Sequence, residues 1–290
     1  MLTVRLRDKL VAIDGVSIEA GEATTMPHTL TEDQIAQYHE QGYLLTGGIF
    51  EPERLDELER ELDEFVQRRL RNSAEMDATW AGEWKQALGQ KTALIHTHDV
   101  QAYSAAWTRA LVHERFTGAL ADLLGPNVAL HHTKAFIKPP EKGSAFPMHQ
   151  DYPYFPHTLG TMMAAIIHLS EATEDMGCLR VYPGTHKLGP LPVVDERQAY
   201  VDTEQWPIAG ATPAPARRGD VFFFNYLLIH GSDINRSQRH RKTVLVQVRD
   251  PADRMQEGRD DNSHALGMML RGVNPLANGE TIAAGSGVTR

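Results

Sequence analysis

His149 and Asp151, two residues apart in His149-Gln150-Asp151, and the more distant His230 are of the right types to bind one transition metal. At the end of a β-strand, side chains at i and i+2 share a face. His149 and Asp151 would therefore converge. His230 closes the apolar run VFFFNYLLIH, seventy-nine residues after Asp151. Two imidazoles and one carboxylate occupy one face of an octahedral ion and leave the other open, which suits non-haem iron(II) oxygenases. The open positions accept the keto-acid end of 2-oxoglutarate and O2, whereas a closed four-ligand zinc site has none to give. The bland reading is two strand-end histidines hydrogen-bonded to backbone. The sequence HGSDINRSQRHRKT favours the metal. Arg241 lies eleven residues after His230 and, projecting from the next strand, would offer a fork to a distal carboxylate. Ser232 and Asn235 lie between them, placed either to orient that arginine and donate to oxoglutarate or to form a turn.

Other residues near this set carry weaker signals. Tyr152 and Tyr154 follow the HxD and are candidates for the substrate side or for core packing. Alternation puts them on the face opposite Asp151 unless Pro153 bends the chain. His157 is a candidate substrate contact or a supporting residue. The segment His96-Thr97-His98-Asp99 forms a second polar cluster, with His98 a candidate at the mouth of the site. His131, His132, His168 and His186 lack a carboxylate at i±2 and read as structural. Cys178 reads as a small core residue, and Met268-Met269-Leu270 as a packed strip.

These residues need a scaffold, and the chain divides into a helical first part and a strand-rich second part. Thr31-Glu32-Asp33-Gln34 has the form of a capping box, with Ile35 and Tyr38 following on one face and Gly42 ending the helix. Tyr43-Leu44-Leu45 reads as a short strand. Pro52 opens a long helix to about Asn72, on which Leu55, Leu58, Leu62, Phe65, Val66 and Leu70 recur at helical spacing. A third helix is predicted from Ser104 to Leu124, ending at Gly125-Pro126. From Val128 the pattern changes to short runs rich in β-branched and aromatic residues: VALHHTKAFIKPP, MMAAIIHLS, CLRVYPG, GDVFFFNYLLIHGS and KTVLVQVRD. Helices followed by strands predict an α+β, mainly β architecture of sandwich or barrel type. Residues 1–28 read as an arm with a strand or two, 29–275 as a single domain, and 276–290 as a flexible tail.

Bulk properties bound the partners. The chain has 290 residues, 41 % of them hydrophobic, enough for one large domain with a sizeable core. A formal net charge of −9 gives no general attraction to nucleic acid or to an anionic membrane. The single cysteine excludes an internal disulfide and the Cys-rich zinc sites. The charged N-terminus lacks a secretory pattern, and no stretch approaches the roughly 20 apolar residues of a membrane span. The expectation is a cytoplasmic protein with a small-molecule partner, able to form a homodimer.

Five blocks, in order, resemble the phytanoyl-CoA dioxygenase family of iron(II)- and 2-oxoglutarate-dependent oxygenases. They are GPN at 125–127, KPP at 138–140, HQDYPYFPH at 149–157, GCLRVYPGTHK at 177–187 and GDVFFFNYLLIHGSDINRS at 219–237. The upstream DQIAQYHEQGYLL is similar to the family's opening, and the likeness runs from about residue 30 to 255. The resemblance implies a double-stranded β-helix, the cupin-like jelly roll, with its core at about 126–252 and helices on its N-terminal side. It implies that His149, Asp151 and His230 ligate iron(II) and that Arg241 holds the oxoglutarate carboxylate. Lys134 and Ile167 fall at further oxoglutarate-pocket positions. Both differ in type from the phytanoyl-CoA enzyme, so its substrate is not carried over. Lys134 would suit an anionic substrate such as a phosphonate or amino acid, or else reach solvent from an edge strand. The implied reaction consumes O2 and 2-oxoglutarate, releases succinate and CO2, and hydroxylates an unactivated C–H. The carboxylate at Asp151 disfavours halogenation, which needs that position open for chloride. Two other readings use the same triad: a non-enzymatic cupin-type metal-binding protein, and a metal-dependent lyase or isomerase.

Overall fold

The computed structural model describes residues 2–6, 9–13, 29–72, 95–140, 144–194, 199–257, 264–265 and 267–276. Most of the arm and nearly all of the tail lie outside them. Within the arm, β1 (Leu2–Leu6) and β2 (Lys9–Ile13) pair antiparallel with each other.

The capping box starts α1 (Glu32–Gln41) as the sequence predicts. The Thr31 hydroxyl accepts from the Gln34 N–H, and the Gln34 carboxamide accepts from the Thr31 N–H. Gly42, at φ 82°, ends it by donating to the Tyr38 carbonyl. The chain continues through β3 (Tyr43–Thr46) and α2 (Pro52–Asn72). Leu55, Leu58, Leu62 and Val66 of α2 are buried along one stripe.

The helix expected from 104 to 124 is instead three pieces after β4 (Ile95–His98): α3 (Val100–Tyr103), α4 (Ala105–Leu111) and α5 (Glu114–Leu124). Ser104 makes the first break. Its backbone is extended (φ −142°, ψ 125°), and its hydroxyl accepts from the N–H groups of Ala106 and Trp107. A serine that satisfies the next turn's free donors is worth more as a cap than as a helix interior residue. The second break follows at Val112 and His113, where the latter's extended backbone opens α5.

Strands dominate the remainder: β5 (Val128–Lys138), β6 (Phe146–His149), β7 (Met163–His168), β8 (Leu179–Val181), β9 (Thr212–Ala214), β10 (Val221–Asn225), β11 (His230–Ser232), β12 (Arg241–Arg249) and β13 (Met269–Arg271). Among the described residues they form two antiparallel sheets. The larger runs β13-β5-β12-β7-β10-β3, with β4 also on β5; the smaller runs β6-β11-β8-β9. This is the jelly roll that the family resemblance implies. Period-two alternation divides the large sheet between two cores. Ala165, Ile167, Phe223, Val244 and Val246 face the helices and join Leu58, Trp107, Phe116 and Leu120. Ala164, Ile166, Phe222 and Phe224 face the small sheet and meet Leu179, Val181 and Leu228. The open part of that inner space is the cavity described below.

One buried carboxylate fastens the loop that follows the HxD. Asp253, fully buried, accepts from the Leu159 N–H (2.7 Å) and from the Thr161 N–H and hydroxyl (both 2.8 Å). Asp253→Ala would leave these donors unanswered and lower stability by roughly 3 kcal/mol. Urea unfolding of the two proteins measures it, and an unchanged midpoint would contradict the anchoring role.

Candidate active site

The HxD does not lie wholly on a strand, as the spacing argument assumed. β6 ends at His149, and Asp151 has turned to φ −75°, ψ −21°, ahead of a 3-10 turn over Tyr152–Tyr154. The turn is held from both sides. The N–H groups of Asp151 and Tyr152 donate to the Tyr226 carbonyl. Gln150, buried between the ligands, donates to the carbonyls of Gly189 and Leu227 and accepts from the Leu191 N–H. The sequence reading passed over Gln150; a polar residue alternating inward between two candidate ligands was its only signal.

His230 begins β11 directly opposite His149. The two strands approach closely at Gly231, where a Cβ would lie 2.7 Å from the Met148 sulfur and 2.8 Å from the Phe146 carbonyl. His149 Nδ1 donates to the Pro147 carbonyl (2.8 Å), and His230 Nδ1 to the Leu228 carbonyl (3.0 Å). These bonds fix both tautomers and leave Nε2 as the ligating atom. The two Nε2 atoms lie 3.6 and 3.8 Å from the same Asp151 oxygen, and the three donor atoms fall within 4.8 Å of one another. Burial pushes the His230 imidazole down to about 4, so it stays neutral, the form that ligates. Burial raises the Asp151 carboxyl, but the neighbouring His149 and His230 outweigh it and hold the group ionised. Two imidazole nitrogens and one carboxylate fit a divalent ion with part of its coordination open.

The triad faces a cavity of about 410 Å³ between the sheets. β5 and β12 form much of its wall in matched rungs: Lys138 opposite Arg241, Phe136 opposite Thr243, Lys134 opposite Leu245, and His132 opposite Gln247. Arg241 is 5 % exposed; its Nη1 donates to the Gly177 carbonyl, and its Nε has no hydrogen-bond partner. Gly177, at φ 66°, lets the Asp233 backbone pack against it, since a Cβ there would meet the Asp233 carbonyl oxygen at 2.2 Å. Burial lowers the Arg241 guanidinium to about 10, so it remains charged. A buried cation with an idle donor fits an anionic ligand. Lys138, absent from the sequence candidates, is fully buried behind it. Its Nζ donates to Ser232 Oγ (2.7 Å) and to the Asp233 carbonyl (2.6 Å). Alternation from Lys134 would have pointed to it.

The structure separates the remaining candidates. Lys134, Tyr154, His98 and Ser232 line the cavity with the triad and Arg241. Ile167 does not: it packs in the helix-facing core, and its neighbours Ile166 and His168 reach the cavity, because adjacent strand residues face opposite ways. Tyr152 packs against Tyr226 with the rings tilted by 59° and accepts a hydrogen bond from Gln256. His157 is buried in the loop and donates through Nδ1 to the Phe155 carbonyl. Asn235 braces the Arg241 loop, donating to the carbonyls of Lys138 and Arg239. His132 and His168, read as structural, line the cavity, as does His264, whose Nδ1 lies 3.0 Å from an Asp99 carboxylate oxygen. Cys178 is buried beside Ala172 and Ala216, as expected.

Burial holds His132 and His168 neutral, each near 3. An unfolded histidine titrates near 6.5. Between those values the unfolded chain takes up protons that the folded chain refuses, so stability falls as pH drops below about 6.5. Urea unfolding at pH 5 should give a free energy roughly 4 kcal/mol below that at pH 7.5, the two histidines acting together. A flat profile over that range would mean that these rings are hydrated.

Comparison with known proteins places this geometry in a family. The family model for phytanoyl-CoA dioxygenase (PhyH) matches residues 38–243, more than half of the chain. The peroxisomal phytanoyl-CoA dioxygenase of Bos taurus is 38 % identical over 138 residues, a match covering 43 % of this chain and 41 % of that one. The chain thus spans about two-fifths of that relative's length. The methylphosphonate hydroxylase of Gimesia maris is 28 % identical over 228 residues, covering 76 % of this chain and 81 % of the relative. Among solved structures, the non-heme alpha ketoglutarate dependent carbocyclase SnoK from nogalamycin biosynthesis has the same fold. Its TM-score is 0.66 at 18 % identity, over 80 % of this chain and 89 % of the other. The continuous match through both sheets, joined to the His-Asp-His set between them, makes this chain a member of the phytanoyl-CoA dioxygenase (PhyH) family.

Proposed function

We propose that this protein is an iron(II)- and 2-oxoglutarate-dependent dioxygenase that hydroxylates an unactivated C–H of a small acidic molecule, releasing succinate and CO2. The observation that carries this reading is a His-Asp-His set with pinned tautomers, sharing one cavity with a buried arginine whose Nε is unanswered. Family membership supports it, as does the hydroxylase activity of the Gimesia maris relative. That relative's substrate and the cation Lys134 also support an acidic small molecule.

His149, Asp151 and His230 would hold the iron, and Arg241 with Ser232 the distal carboxylate of oxoglutarate. Bound there, iron(II) and oxoglutarate supply O2 activation and the removal of hydrogen from the substrate. The chain supplies orientation and a dry site. Phe136, Phe146, Ile166 and Phe224 line the cavity with carbon between its polar groups. Lys138 positions Ser232. A serine hydroxyl that accepts from the lysine amine keeps its own O–H as a donor for an anion.

The test is succinate formation by metal-free protein supplied with iron(II), ascorbate and oxoglutarate, with methylphosphonate and other small acids as substrates. Succinate should appear only with iron and O2, and mass spectrometry should find a product one oxygen heavier. A cupin-type binder would make none, and a lyase or isomerase would turn over without O2. Asp151→Ala should abolish turnover; retained activity would mean that the ligand set is wrong. Lys138→Met should raise KM for oxoglutarate about tenfold, the size of one lost charge-assisted hydrogen bond, with kcat within about twofold. A fall in kcat at unchanged KM would place Lys138 elsewhere in the mechanism.

A further inference from the structure

Beyond the triad and the Arg241 end, the cavity has a second polar end. Its centre is Gln247 on β12. This side chain is fully buried and lines the cavity, yet neither its amide nitrogen nor its amide oxygen has a hydrogen-bond partner. It lies close enough to Asp151 to lower that carboxyl, without completing a hydrogen bond to it. A buried primary amide with neither end hydrogen-bonded is unfavourable and calls for a ligand.

Its neighbours define the ligand. His132 stands directly opposite it on β5, and Lys134 lies one inward position further along the same strand. Lys134 is 8 % exposed, with Nζ 5.0 Å from the Phe136 ring centre. The Asp151 charge acts on both His132 and Lys134, so this end adjoins the triad. Along the β5–β12 pair it is three inward steps from the Lys138–Arg241 rung, roughly 20 Å of strand. Oxoglutarate held at Arg241 therefore leaves this end for the other reactant. An ammonium calls for negative charge. A carboxamide offers N–H donors and a carbonyl acceptor together, so it is satisfied by a group that carries both an oxyanion and an O–H or N–H.

We infer that Gln247, Lys134 and His132 form the head-group subsite for the substrate. The ligand is a compact oxyanion bearing its own hydrogen-bond donor, as a monoprotonated phosphonate or a hydroxy acid does. This deepens the oxygenase reading and rests on it. The assignment makes Gln247 and Lys134 specificity-determining residues. It also disfavours a long alkyl chain at this end, which would bury the amide against carbon.

The test is anaerobic calorimetric titration of the iron(II)- and oxoglutarate-loaded protein with four probes: methylphosphonate, glycolate, acetate and acetamide. Methylphosphonate or glycolate should bind at least about tenfold more tightly than acetate, which has charge but no donor, and acetamide should not register. Which of the two binds identifies the head group. Gln247→Leu should weaken the favoured probe about tenfold and remove its advantage over acetate. Gln247→Glu, of nearly unchanged volume, should reject the anions. Lys134→Met should weaken every anion. Gln247→Leu should bind iron and oxoglutarate within about twofold of wild type. Equal binding of acetate or acetamide, or a Gln247→Leu defect confined to iron or oxoglutarate, would overturn the inference. Oxoglutarate titrations with and without iron judge the oxygenase reading separately. Metal-dependent oxoglutarate binding without anion selectivity defeats only the head-group subsite; no such binding defeats the oxygenase reading as well.

Discussion

The pairing of β6 with β11 brings His149 and His230 face to face, and the chemistry depends on that contact. Two imidazoles whose ring centres are 4.2 Å apart would repel if both were protonated. They are kept compatible by donating their Nδ1 protons to carbonyls two residues earlier on their own chains. Each ring is thereby turned the same way, and Asp151 answers both. The small sheet is short, but the rigidity of its pairing sets the ligand geometry. Gly231 contributes by having no Cβ where the strands are closest.

The large sheet supplies what the small one lacks. Its β5–β12 pair is a ruler along the cavity, with one cationic end, an apolar middle and a polar far end. The outer face of the same strands is packed on helices. A shift of register by one residue would exchange the two faces and bring Ile167 and Val244 into the cavity in place of His168 and Thr243. The hydrophobic demand of the helix-facing core therefore protects the placement of the polar residues inside.

Buried polar groups are many here, and they fall into two kinds. Gln150, Asn235 and Asp253 are satisfied within the chain and brace the loops at the cavity's edge. Arg241 Nε and both amide atoms of Gln247 are not. Arg241 and Gln247 also line the cavity, so a ligand can reach their unanswered atoms, whereas the braced loops are satisfied without one.

The sequence alone determined the ligand types, the Arg241 spacing and the change from helical to strand periodicity, because these rest on local pattern and residue chemistry. The capping box at Thr31 and the buried stripe of α2 were legible for the same reason. Tertiary structure decided which residues meet. Ile167 lost its expected place by one step of strand alternation, and the turn after His149 placed Asp151 off the strand with Tyr154 at the cavity and Tyr152 against Tyr226. His132 and Gln247 gained a place at the site only as inward-facing rungs of a strand pair about a hundred residues apart. Cross-strand register depends on how two distant segments bury their apolar faces together, and no single stretch of the sequence contains it. The His-Asp-His set could thus be read from the chain, whereas the two polar ends of its cavity exist only once the sheets have closed.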